Sequence, residues 1–183
     1  MSKPVKIISL TLIALLVIYF AGPAPDSPRW SASMPEVPVQ AETLEQYISE
    51  NESRHNVKPG NEAHIIWADS LKKRTEYALI YIHGFSASQM EGDPVHRQFA
   101  QAFGCNLFLQ RMADHGIDTT EALINFTSDR YWETAKEALA IGKALGEKVI
   151  IISTSTGSTV ALVLAAMFPD DVHALINLSP NIA

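Results

Sequence analysis

Two stretches of this chain, "YALIYIHGF" (77–85) and "KVIIIS" (148–153), run apolar almost without interruption, the first ending in His83-Gly84-Phe85 and the second in Ser153. A strand with one wet face alternates apolar and polar residues, so strands apolar on both sides must be covered on both faces. Each is followed by a segment of helical spacing. Asp93-Pro94 starts one, with aspartate as N-cap, and it should run to about Phe103 and stop at Gly104. "SDRYWETAKEALAIGKALGE" (128–147) puts Tyr131, Ala135, Ala138, Gly142 and Leu145 on one face. A third helix spans 157–168 and is ended by Pro169. "HIIWA" (64–68), "CNLFLQRM" (105–112) and "HALINLSP" (173–180) read as further strands, and 113–125 as a long connection. This alternation means a mainly parallel α/β sheet flanked by helices.

The N-terminus is a different material. Lys3 and Lys6 precede an apolar run from Ile7 to Ala21, and Pro23, Pro25, Pro28, Pro35 and Pro38 follow. Residues 1–21 read as a membrane anchor or signal sequence, 22–40 as an extended Pro-rich spacer, and 41–183 as the globular part. A small-x-small cleavage site is poorly formed around Ala21-Gly22-Pro23, which favours an uncleaved anchor. Lysines ahead of the apolar run keep the N-terminus cytoplasmic and send the domain to the other side; a cut segment would instead leave it secreted or periplasmic. Within the spacer's successor, Leu44, Tyr47 and Ile48 fall at helical spacing. A formal net charge of -6 leaves no basic face for phosphates, so nucleic acid is not expected as a partner. The single cysteine, Cys105, sits in an apolar run and reads as a small buried side chain.

The junction "STSTGST" (153–159) sits between a buried strand and a helix of small residues. A serine at such a turn, Ser155, is held in a strained conformation with its hydroxyl clear of the sheet edge. The residues two before and two after it must be small, and they are Ser153 and Gly157. The helix beginning there points its N–H groups toward the serine, where developing negative charge is stabilised. A phosphate loop would need Gly-Lys-Ser or Gly-Lys-Thr, and a dinucleotide fingerprint would need further glycines; neither occurs. A helix-capping turn rich in hydroxyls is the bland alternative.

A second motif, His83-Gly84-Phe85, closes the strand 77–85. In acyl-transfer enzymes of this architecture the loop after that strand supplies an N–H to the oxyanion hole, and a glycine permits close approach. His83 reads as a structural histidine of the loop, because its place in chain order is wrong for a base. From His64 onward the chain resembles the α/β-hydrolase superfamily, in particular its carboxylesterase and monoacylglycerol-lipase-like branch, which carries HGF after the third strand. The resemblance implies Ser155 as nucleophile and Phe85 and Thr156 as oxyanion-hole donors. It departs from the pattern at Ser153, where the family has glycine, and more mildly at Ser158.

In that superfamily an acid and a histidine follow the serine in chain order. Only Asp170, Asp171 and His173 do so here, and they lie past the far end of the helix after Ser155. His55, His64, His96 and His115 have no better placement. The expectation is a chain that ends after the sixth strand of the family's sheet, with lid, acid and histidine beyond it, inactive as it stands. The whole protein is then expected to be a membrane-tethered serine esterase. It would act on small ester or lipid-like substrates through an acyl-enzyme, with Phe85 and Met90 lining an apolar pocket. An amide or peptide hydrolase of the same superfamily, and a non-catalytic binding protein on the hydrolase scaffold, are the alternatives. No metal-ligand spacing occurs and no cofactor is expected.

Overall fold

A computed structural model describes residues 2–22 and 28–181. Helix α1 (Lys3–Ala21) is followed by α2 (Ala41–Ser53), β1 (His64–Ile66), β2 (Thr75–Ile82) and a single 3-10 turn, Gln89–Gly92. Then come α3 (Val95–Phe103), β3 (Asn106–Leu109), α4 (Ser128–Leu145), β4 (Gly146–Thr154), α5 (Thr156–Met167) and β5 (Val172–Leu178). The strands form one sheet in the order β1-β3-β2-β4-β5, with only β1 antiparallel to its neighbour.

Both faces of the sheet are covered at β2, β3 and β4, as the unbroken apolar strands 77–85 and 148–153 require, while β5 is only half-buried. Ala78, Ile80 and Ile82 of β2 point into a core shared with Leu44 and Ile48 of α2, Trp132 and Leu139 of α4, and Val160 and Leu164 of α5. Leu79 and Tyr81, the residues between them, pack on the opposite face with Ala100 of α3, Leu107, Leu109, Ile150 and Ile152. The five residues read as one face of α4 are all buried. α3 stops at Gly104, at φ 58°. Its start differs from the expected one: Pro94 occupies the N-cap position, and the Asp93 carboxylate instead pairs with Arg97 Nε at 2.9 Å. Proline's ring takes the cap geometry there, which leaves Asp93 outside the first turn.

Of the Pro-rich spacer, residues 23–27 lie outside the described residues, while 28–39 form neither helix nor strand and are fastened to the domain rather than free. Arg29 N–H donates to Asp129 Oδ1 at 2.6 Å, and Trp132 Nε1 donates to Ser31 O at 2.9 Å. The Lys136 ammonium, with no exposed surface, donates to Ser33 O at 2.6 Å and lies 3.0 Å from Glu133 Oε1. Trp30 meets the Trp132 ring edge to face, and Met34 and Val37 pack on the core. Helix α1 is apart from all of this. It has no buried residue, and its mean hydropathy of 2.2 makes it long and apolar enough to cross a membrane.

Candidate active site

β4 ends at Thr154 and α5 begins at Thr156, so Ser155 alone forms the corner. Its backbone sits at φ 50°, ψ -118°. A side chain there costs roughly 1–3 kcal/mol and persists only where the surroundings over-determine it. They do so here. Ser155 N–H donates to Leu178 O at 2.9 Å, while its carbonyl accepts from Ser158 N–H at 2.9 Å and Thr159 N–H at 3.2 Å. Gly157 lies so close to β2 that a Cβ on it would stand 2.3 Å from Ile82 O and 2.6 Å from His83 O. The smallness read from the sequence at this position is a contact with backbone.

Ser153 is fully buried at an ordinary φ, and its hydroxyl donates to Asn177 Oδ1 at 2.7 Å. It also lies 3.1 Å from the Ser158 hydroxyl. The two serines that replace glycines are thus partners, and β5 satisfies them. The hydroxymethyl group that Ser153 has in place of the family's glycine therefore finds a polar partner at an ordinary φ.

Strand register brings the second motif to the first. Ile82 pairs with Ser153, so two residues further on Gly84 faces Ser155. A Cβ on Gly84 would lie 3.2 Å from Ser155 Cβ. Gly84 N–H donates to Glu91 Oε2 at 2.8 Å, and the Tyr81 hydroxyl lies 3.3 Å from the same oxygen and 3.0 Å from Thr154 Oγ1. Phe85 is 51% exposed, with its ring against those of Phe126 and His115. Met90 is exposed as well.

His83 points away from solvent. Its Nδ1 is 2.8 Å from Gly84 O and its Nε2 is 3.1 Å from Met112 N. Because Met112 N–H can only donate, Nε2 accepts and Nδ1 carries the proton. Burial pulls its pKa down to about 4, so the ring is neutral and pins the loop. Tyr131 O–H donates to His83 O at 2.7 Å from α4.

The remaining acids and histidines after Ser155 stand elsewhere. Val172 pairs with Val149, which at 3.3 Å per residue is about 20 Å along β4 from Ser155. His173 lies against Tyr77, at the starting end of β2, and Asp171 pairs with Lys143. His96 and His115 are buried, each with its pKa lowered by desolvation, and each bonds a local carbonyl (Gln89 O and Ala113 O). Asn181 Nδ2 lies 3.4 Å from Ser155 Oγ. Among the described residues, no cluster of three or more His, Cys, Asp or Glu side chains is arranged to hold a metal.

Glu91, Tyr81, Thr154 and Asn177 belong to this site and were not singled out by the sequence. Asn177 left one signal, a polar residue inside the apolar strand "HALINL". Glu91 left none, since acids are ordinary in loops.

No protein-family model and no curated protein matches the sequence. Solved structures do match it. One comes from the work on LipS and LipT, two metagenome-derived lipolytic enzymes, with a TM-score of 0.59 at 18% identity over 68% of this chain and 47% of that one. Another is a Pyrococcus furiosus esterase, with a TM-score of 0.51 at 15% identity over 87% of this chain and 56% of that one. The chain therefore spans about half the length of these structures, 47% and 56%. The chain shares with these structures its fold among the described residues: a mainly parallel five-stranded sheet flanked by helices, here preceded by an apolar helix.

Proposed function

We propose that this chain carries the nucleophile and oxyanion loop of a serine hydrolase that cleaves carboxylic esters through an acyl-enzyme. The observation that carries the reading is Ser155 at φ 50°, ψ -118°, cornered between β4 and α5 and facing Gly84. Attack by Ser155 Oγ on an ester carbonyl forms the acyl C–O bond and makes the carbonyl oxygen an oxyanion, which collapses with loss of the alcohol. Thr156 is the first residue of α5, so its N–H has no intrahelical acceptor and is free to meet that oxyanion. Phe85 follows the glycine beside Ser155 and supplies the second N–H. Serine needs a base to take its proton. His83 is unsuited to that work, since Nε2 is occupied by Met112 N–H and Nδ1 by Gly84 O. The reading leaves the base unassigned among the described residues.

The exposed Phe85 and Met90 beside the elbow fit a small ester or lipid-like substrate with an apolar acyl group. Lys3 and Lys6 in the first turn of α1, ahead of its apolar run, fit a domain tethered on the non-cytoplasmic side. Hydrolysis of p-nitrophenyl esters by the intact protein tests the proposal. Ser155→Ala should cut kcat by at least about 10³-fold. An unchanged rate in that variant rules the reading out, and a folded intact protein without esterase or amidase turnover favours a binding scaffold.

A further inference from the structure

Glu91 stands outside both motifs, yet its carboxylate is where the elbow and the oxyanion loop are joined. Its Oε2 accepts the Gly84 N–H at 2.8 Å and lies 3.3 Å from the Tyr81 hydroxyl. That hydroxyl is in turn 3.0 Å from Thr154 Oγ1, the residue before Ser155. Burial raises the Tyr81 pKa to about 12, so the phenol keeps its proton. The distances fit one directed chain: Thr154 donates to Tyr81, Tyr81 to Glu91, and Gly84 N–H to the same carboxylate oxygen. The turn that bears Glu91 is itself pressed into place. A Cβ on Gly92 would stand 2.5 Å from Tyr81 Cζ and 2.6 Å from His96 Cδ2, so the turn's backbone lies directly on those rings. Both carboxylate oxygens, at 3.3 and 3.4 Å, and Ser155 Cβ, at 3.2 Å, border the one space that the missing Gly84 side chain leaves open.

Gly84 has no side chain to hold its peptide in place, and its N–H is the group through which the loop can be aimed. A carboxylate accepting that N–H makes a charge-assisted bond, stronger than a neutral one. We propose that Glu91 is a positioning residue for the reaction: it fixes the Gly84 peptide and so sets where the Phe85 N–H stands relative to Ser155. This rests on the hydrolase reading above. A group that aims a donor at the transition state acts on kcat more than on KM.

Two measurements on the intact protein test it. In Glu91→Ala, kcat for a p-nitrophenyl ester should fall on the order of 10- to 100-fold while KM moves less than about 3-fold. Glu91→Gln, which keeps an acceptor oxygen, should recover most of that loss. Amide hydrogen exchange, read independently of turnover, should quicken by about 10-fold or more at Gly84 in Glu91→Ala, with β2 unchanged. Unchanged kcat in a folded Glu91→Ala protein overturns the proposal, as does a loss confined to KM, or an equal loss in the Gln variant. Unchanged exchange at Gly84 overturns it too. If the wild-type protein has no turnover the hydrolase reading falls and the catalytic role falls with it, while quickened exchange at Gly84 would still show that Glu91 holds the loop.

Discussion

Ser155 occupies backbone space that glycine enters freely and a residue with a Cβ enters at a cost. That cost can be measured without any substrate. Ser155→Gly and Ser155→Ala both remove the hydroxyl, but only glycine relieves the corner. Ser155→Gly should be more stable than Ser155→Ala by about 1–2 kcal/mol in urea denaturation; equal stabilities would mean the corner is not strained. Gly157 shows the opposite sensitivity. Gly157→Ala would drive a Cβ into two backbone carbonyl oxygens, at 2.3 and 2.6 Å. Neither atom is the end of a flexible side chain, so it should cost more than about 3 kcal/mol or prevent folding. His83 links the same corner to pH. Burial holds its folded pKa at about 4, below the ordinary histidine value of 6.5, so between these values the unfolded chain binds a proton that the folded protein refuses. Its contribution is therefore intact above 6.5 and is lost as pH falls toward 4. The loss approaches about 3 kcal/mol. His96 and His115, also lowered by burial, add to the fall in the same direction. Denaturation midpoints followed across this range should drop, and a pH-independent midpoint would contradict the buried neutral ring.

At the scale of elements, the segment 28–39 does work that its composition concealed. Lys136 is an ammonium with no exposed surface, and its acceptors include Ser33 O from that segment. A protein beginning at Met34 should lose about 3 kcal/mol, because a buried charge is left short of partners. Lys136→Met should return most of that loss in the shortened protein; no return would place the cost in packing of Trp30 on Trp132 instead. This fastening was invisible in sequence because Trp132 and Lys136 lie about a hundred positions from the serines they bond, Ser31 and Ser33. The separation is 101 for Trp132 and Ser31. β2 and β4 were legible for the contrary reason: a strand apolar at successive positions carries its own statement that both faces are covered. Ser155 and Gly157 were legible as a local turn. The Glu91–Tyr81–Thr154 chain and the Ser153–Asn177 bond were not, since they exist only once register sets β2 beside β4 and β4 beside β5.

At the scale of the whole molecule, an apolar helix precedes an α/β domain, and residues 28–39 between them are tied to that domain. Removing residues 1–21 should move the protein from the membrane fraction to the soluble one, and an unchanged distribution would mean that α1 is not the anchor. The fold supplies a sheet edge at which the ends of β2 and β4 meet, and the chemistry proposed for it depends on one side chain there. The most direct test is to treat the intact protein with a fluorophosphonate and map the adduct by mass spectrometry. The account predicts a single adduct on Ser155 that disappears in Ser155→Ala; a folded protein that takes up no label, or takes it up at another residue, would contradict it.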